Sequence, residues 1–421
     1  PFGTPPSCTL PRVLISRPSV PMSSPPRPRP ASSDWTNWRW QMQNRIHSAD
    51  ALRDWICPTD DELAAIERTE GEFRWNITPY YASLMDPHDP ACPVRRQAVP
   101  TLDEFGPDIV DEIDPLDETG HEPVKNLIHN YDDRVAFCVT AECAIYCRYC
   151  LRKRMVGDAE YFMRTDEHQA AIDYIAAHDE IRDVLLTGGD PLTFNEANLE
   201  WLLGKLRAID HVELIRFGTR MPVKLPCRIT DELCELLAQH HPLWINTHFN
   251  HPKECTEEAA AAIDRLKRAG VPVGNQTVLL RGINDTSTTM KALNERLVRM
   301  RVRPYYLYQA QLIGGTEHLR VPIEVGMHIM QQLRGRTSGF AIPDYVLDTP
   351  HGKVPLNRSY VKGRAGDHVL MESYDGTLWA EPNPIPDGVD VPLRLPSVDL
   401  PADIDTIHTD CRASTHAPAL D

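Results

Sequence analysis

Three cysteines raise the question of chemistry first. Cys143, Cys147 and Cys150 stand in a C-x3-C-x2-C spacing. Three thiolates on one short loop can converge on a metal or a metal cluster. Structural zinc takes four ligands, and no fourth Cys or His follows at finger-like spacing. A disulfide framework would not leave an odd triplet in so long a chain with so few other close cysteines. The other eight cysteines, at positions 8, 57, 92, 138, 227, 234, 255 and 411, are scattered singly, as small buried hydrophobes are. A cluster held by three thiolates leaves one iron free for a small molecule, so an iron–sulfur site is the favoured reading.

The elements that must position this loop follow from periodicity. Short apolar runs at 135–139, 183–187, 212–217, 243–247, 275–280, 303–308 and 342–347 read as strands. Amphipathic stretches at 166–177, 197–209, 231–240, 257–269, 288–300 and 323–333 read as helices between them. Thr230 and Thr256 are candidate N-caps, and Gly270 a candidate helix stop. A strand about every 30 residues with a helix between is the signature of a parallel sheet. The fold class is α/β, a partial (β/α)6-type barrel with an N-terminal helical layer and a C-terminal extension. In such barrels chemistry sits at the C-terminal ends of the strands, and the cysteine loop follows the first one.

Composition sets the frame. With 421 residues, a net charge of -16 and 42% hydrophobic residues, the chain can bury a sizeable core. The acidic balance argues against nucleic acid or an anionic membrane as the main partner. No apolar run approaches the ~20 residues of a spanning helix. Ten of the 37 prolines fall in the first 30 residues, so 1–33 reads as a disordered lead-in. A Trp- and charge-rich helical region follows over 34–130, with 44–55 helical and Thr59 capping the next helix. The barrel is placed at 131–350, a lysine-bearing segment at 351–380 and a loosely ordered tail at 381–421, in which 391–400 could form an extended arm.

The cysteine loop resembles the cluster loop of radical S-adenosylmethionine enzymes, with aromatic Tyr149 before the last cysteine. Gly188, Gly189 and Asp190, after the second strand, resemble the glycine-rich segment that contacts the cofactor's amino group in that superfamily. The likeness narrows further. Residues 34–41 (DWTNWRWQ), 77–81 (ITPYY), 246–252 (NTHFNHP), 274–282 (GNQTVLLRG), 303–309 (RPYYLYQ) and 333–339 (LRGRTSG) are similar to lysine 2,3-aminomutase, nearly colinearly over about 34–379.

That resemblance implies a [4Fe–4S] cluster on Cys143, Cys147 and Cys150, S-adenosylmethionine and pyridoxal 5'-phosphate. Lys353 matches the family lysine that holds pyridoxal phosphate as a Schiff base, a task for an amine that can be neutral and reachable. The loop between Asp348 and Lys353 is two residues shorter than the family's and carries His351, which is expected to shape the pocket. Arg152 matches the arginine that grips the substrate α-carboxylate with its fork. Asp285 and Asp348 match the two aspartates that hold a distal substrate cation; Asp285 could equally cap the helix after it. Arg134 matches a residue near pyridoxal phosphate, while Asn130 stands where a base is expected, so redistributed phosphate binding is expected. His248 and His251 read as pocket or packing residues. At the helix position of the family's zinc cysteine stands Ile263, and only Cys411 lies late in the chain, so no structural zinc is expected.

The implied reaction moves the amino group of a basic amino acid from Cα to Cβ. A 5'-deoxyadenosyl radical takes hydrogen from Cβ, the amine migrates while bound to pyridoxal phosphate, and hydrogen returns. Lysine to β-lysine is the first expectation and arginine to β-arginine the second. A non-catalytic iron–sulfur or zinc protein is the alternative from another class, and a mutase of a protein-bound lysine a third, against which the Trp-rich 34–40 segment speaks. The partners expected are an electron donor such as flavodoxin or ferredoxin and a second copy of the chain. A reducible cluster and free thiols imply the cytoplasm.

Overall fold

The computed structural model describes residues 31–72, 74–106, 113–357, 359–373, 376–383, 385 and 394–401. Residues 1–30 of the lead-in, residues 391–393 of the expected arm, and Cys8 and Cys411 lie outside them.

Nine strands form one sheet in sequential order: β1 (Leu127–Tyr131), β2 (Arg134–Thr140), β3 (Asp183–Gly188), β4 (Leu214–Gly218), β5 (Leu243–Thr247), β6 (Val273–Leu279), β7 (Arg303–Gln309), β8 (Asp344–Thr349) and β9 (Gly352–Pro355). The seven from β2 to β8 are parallel, and β1 and β9 add antiparallel edges. The six crossovers are covered by α6 (Thr165–Ala176), α7 (Glu196–Arg207), α8 (Met221–Lys224) with α9 (Asp231–Ala238), α10 (Glu257–Arg268), α11 (Ser287–Arg299) and α12 (Ile323–Leu333). This is the expected partial barrel. Its two edges approach without pairing among the described residues: Asn130 Nδ2 donates to the Pro350 carbonyl at 3.2 Å.

Period-two alternation decides what each wall does. On β2, β3 and β4, Val135, Phe137, Val184, Leu186, Ile215 and Phe217 are buried against the outer helices. Arg134, Ala136, Asp183, Leu185, Thr187, Leu214, Arg216 and Gly218 alternate with them and line an interior cavity. A barrel interior is ordinarily filled by branched apolar side chains; here small and charged residues leave it open.

The helices start and stop as their residues dictate. Thr230 and Thr256 accept from the backbone N–H of Leu233 and Ala259 at 3.1 Å, and Gly270 ends α10 with φ +78°. The N-terminal layer contains α1 (Ser32–Trp35), α2 (Trp38–Gln43), α3 (Ala49–Arg53), α4 (Asp60–Glu72) and α5 (Pro79–Ser83). The single helix expected over 44–55 is broken. Ile46 pairs instead with Ile77 as an isolated bridge, and Ser48 caps a new helix. Thr59 and Glu62 cap α4, as expected. Trp38 packs under the buried Arg228 guanidinium, 4.5 Å from the ring centroid, so the Trp-rich segment braces the outside of the barrel. A second sheet of β10 (Val361–Ala365), β11 (His368–Glu372) and β12 (Leu378–Pro382) follows, and Ser397 bridges to Arg364. No helix among the described residues is long and apolar enough to cross a membrane.

Candidate functional site

A cavity of about 610 Å³ fills the barrel. Its wall includes Cys143, Cys147, Cys150, Arg134, Arg152, Gly188, Gly189, Asp190, Asp348 and Lys353. Ten of the eleven candidate residues therefore meet in one space, though they lie 219 positions apart at the extremes. Asp285 does not. It sits in the loop after β6, where its Oδ2 accepts from the Gly282 backbone N–H at 2.9 Å. Nor does it cap α11; Thr286 does.

At the cysteine end, β2 delivers the loop and β3 closes on it. Gly188 has φ +104°, and a Cβ there would lie 2.6 Å from the Thr140 carbonyl oxygen. A Cβ on Gly189 would overlap the Glu142 carbonyl oxygen. Only glycine lets the Gly189 and Asp190 N–H groups reach Thr140 O at 2.5 Å and Glu142 O at 2.7 Å. The Asp190 carboxylate is already engaged. It accepts from Thr219 Oγ1 at 2.6 Å and the Arg220 N–H at 2.8 Å, which gives it a structural task inside the wall.

The thiols differ in their surroundings. Burial pushes the Cys143 and Cys150 thiols up. Burial also works to raise Cys147, but the charges of Lys224 and Arg220 outweigh it and bring that thiol down to about 7. Arg220 Nη1 donates to Cys147 Sγ at 3.2 Å. No three His, Cys, Asp or Glu side chains among the described residues close on a single-ion site. Three thiols spread around one cavity wall, two of them costly to ionise unaided, suit a polynuclear cation that replaces their protons.

The N-terminal layer fastens this loop. Arg148 donates through Nε to Glu104 Oε1 at 2.8 Å, and Lys153 reaches Glu104 Oε2 at 2.8 Å. Burial alone would raise the Glu104 carboxyl, but its two cations hold it at about 2. Arg45 donates to the Cys143 carbonyl at 2.7 Å and pairs with Glu142. Arg220 further binds Gln97, Glu254 and the His248 carbonyl at 2.6–2.7 Å. His248 faces the cavity, and burial together with the Arg220 and Lys224 charges keeps its ring neutral, down to about 3. His251 only caps a short turn.

Arg152 is placed in the wall but not free. Its Nη2 and Nε hold Glu118 at 2.7 and 3.3 Å, and Nη1 reaches Thr187 Oγ1 at 3.2 Å. Burial opposes its charge; the Glu118 carboxylate outweighs that and raises its pKa. A substrate carboxylate would meet the Nη1 edge rather than an empty fork.

At the other end, the β8–β9 turn is only Pro350 and His351 long, which makes Asp348 and Lys353 direct partners across the two strands. Lys353 Nζ lies 2.8 Å from Asp348 Oδ1 and 5.7 Å from the Tyr308 ring centroid. His351 is exposed at the tip, so the shortened loop acts through this register and not by inserting a histidine. Arg134 lies over the Tyr131 ring at 4.0 Å and pairs with Asp133 at 3.0 Å. A reachable amine beside a carboxylate, with a guanidinium nearby, suits a pyridoxal phosphate site. Arg220, Lys224, Glu118 and Arg216 were missed from the sequence. The first two follow β4, where the strand-end rule points; Arg216 sits at an inward strand position, a charged residue where core is expected; nothing flagged Glu118.

Comparison with known proteins bears on this site. Residues 137–293 match the Radical SAM superfamily model, and 330–399 match a model described as Lysine-2,3-aminomutase. The chain is 46% identical over 359 residues to an L-lysine 2,3-aminomutase of Fusobacterium nucleatum subsp. nucleatum, covering 84% of each chain. It is 46% identical to that of Clostridium subterminale, covering 84% of this chain and 86% of the other. A glutamate 2,3-aminomutase of Clostridioides difficile is 44% identical, covering 82% of each.

Proposed function

The chain belongs to the lysine 2,3-aminomutase family of radical S-adenosylmethionine enzymes, and on that premise we propose that it converts L-lysine to β-lysine with pyridoxal phosphate carried on Lys353. The carrying observation is one cavity with three thiols at one end and the Lys353–Asp348 pair at the other. When bound, a [4Fe–4S] cluster and S-adenosylmethionine supply the hydrogen-abstracting radical, and pyridoxal phosphate supplies a carbonyl carbon that keeps hold of the amine nitrogen while it moves from Cα to Cβ.

The residues of the chain divide the remaining work. Cys143, Cys147 and Cys150 would hold the cluster, and Gly188 and Gly189 line the same cavity with bare backbone. Arg152 takes the substrate α-carboxylate on its Nη1 edge while Glu118 fixes its plane. Lys353 presents the amine that would carry the cofactor, and Arg134 would meet its phosphate. Asp348 faces the distal cation. A glutamate side chain would set a second carboxylate against it, which is unfavourable in a partly dry cavity. Asp285 would reach the same cation only by leaving Gly282. Arginine remains the second reading, since its guanidinium satisfies the same carboxylate. A reduced flavodoxin or ferredoxin supplies the electron, and a second copy of the chain completes the assembly.

The test is product analysis after anaerobic reconstitution with iron, sulfide, pyridoxal phosphate and S-adenosylmethionine, offering lysine, arginine and glutamate separately. β-Lysine as the main product supports the proposal. A β-amino acid from arginine or glutamate in preference to lysine overturns the substrate assignment.

A further inference from the structure

Arg216 has no task in the site as described, yet it stands inside it. It occupies an inward position on β4, lines the cavity, and keeps a fifth of its side-chain surface accessible. Its Nε donates to Asp183 Oδ1 at 2.8 Å, and its two Nη groups donate to no protein acceptor among the described residues. The other wall cations are committed. Arg148 and Lys153 serve Glu104, Arg152 serves Glu118, and Arg220 and Lys224 face Cys147. Lys353 and Arg134 occupy the opposite end, where Asn130 brings no charge and gives its amide to Pro350.

Tyr308 links that end to Arg216. Lys353 Nζ lies 5.7 Å from its ring centroid, and although burial pushes its phenol up, the Arg216 charge opposes the rise. A phosphate dianion brought in by a pyridoxal ring on Lys353 needs more than the one half-exposed guanidinium of Arg134, and a guanidinium with two free N–H edges matches phosphate oxygens in pairs.

We infer that Arg216 is a second phosphate-binding residue, taking the cofactor's phosphate on its Nη edge together with Arg134, while Asp183 holds the guanidinium in place. This rests on the assignment of Lys353 as cofactor carrier. The test compares Arg216→Met and Arg216→Lys with the parent chain for two probes, pyridoxal 5'-phosphate and pyridoxal. Each is titrated without S-adenosylmethionine, trapped with borohydride and located by peptide mass spectrometry.

Arg216→Met should bind pyridoxal 5'-phosphate about tenfold or more weakly, with pyridoxal affinity unchanged and Arg216→Lys between. Equal losses for both probes, or none for either, overturn the inference while trapping at Lys353 stands. Absence of any trapped adduct at Lys353 in the parent chain overturns the carrier assignment itself. Should the Met variant not fold, inorganic phosphate competition decides: it should displace pyridoxal 5'-phosphate but not pyridoxal from the parent chain, and more weakly from Arg216→Lys. Equal competition in both proteins contradicts the role.

Discussion

The two ends of the cavity are built on opposite terms. Around the cysteines the ion pairs are sealed: Arg148 and Glu104 are 1% and 0% exposed, and Arg220 and Glu254 are 6% and 0% exposed. Around Lys353 they are half-open, at 35% and 17% for Lys353–Asp348 and 39% and 52% for Arg134–Asp133. A sealed pair cannot lose one partner without stranding a charge in low dielectric, which costs ~3–5 kcal/mol. A half-open pair gains at most ~1 kcal/mol and exchanges partners readily. The cluster end therefore has one geometry, while the lysine end can trade a carboxylate for a cofactor or a substrate cation.

Glu104→Gln should break this contrast most severely. It leaves Arg148 and Lys153 without their shared acid, so unfolding should cost ~3–5 kcal/mol less and iron uptake should fall. Denaturant titration and iron analysis measure both, and a loss no larger than that of Asp348→Asn would erase the distinction. The pH dependence sharpens it. Glu104 ionises at about 2 in the fold against 4.5 free. The unfolded chain thus binds the extra proton between those values. The contribution of Glu104, on the order of 3 kcal/mol, is fully present above about pH 4.5 and lost as pH falls toward 2. The stability gap between the parent and Glu104→Gln should close across that window; a gap constant down to pH 2 contradicts the pairing.

Arg220→Lys should fold, since a cation remains, but the bond to Cys147 Sγ would be lost or displaced. The reconstituted cluster should then reduce at a more negative potential in an EPR redox titration, and an unchanged potential would remove Arg220 from the site. The smallest effect on stability belongs to Asp348→Asn, within ~1 kcal/mol of the parent. Its effect should appear as a raised KM for lysine instead, read in steady-state assays.

The same contrast governs what the sequence disclosed. All seven parallel strands were legible, because each is an apolar run spaced by an amphipathic helix. The edge strands were not: Leu127–Tyr131 carries His129 and Asn130, and Gly352–Pro355 is four residues with a lysine. The helix expected over 44–55 overran because nothing local reveals that Ile46 finds Ile77. At the site, the cysteines declare themselves by spacing, whereas the glycines, Lys353 and Asp348 stand out only through the family likeness. Glu118 could not be found, since an acid in an irregular segment becomes a partner of Arg152 only through tertiary contact. Asp285 was placed with Asp348 by likeness, and the fold sets it apart.

The central claim is that hydrogen removed by chemistry at the cysteine loop comes from an amino acid held at Lys353, within one cavity. Lysine deuterated at Cβ, supplied to the anaerobically reconstituted protein, tests it directly. Deuterium should appear in the 5' position of recovered S-adenosylmethionine and in β-lysine, and Lys353→Ala should abolish both. S-adenosylmethionine cleavage without label transfer in the parent chain, or label transfer untouched by Lys353→Ala, would contradict the shared cavity.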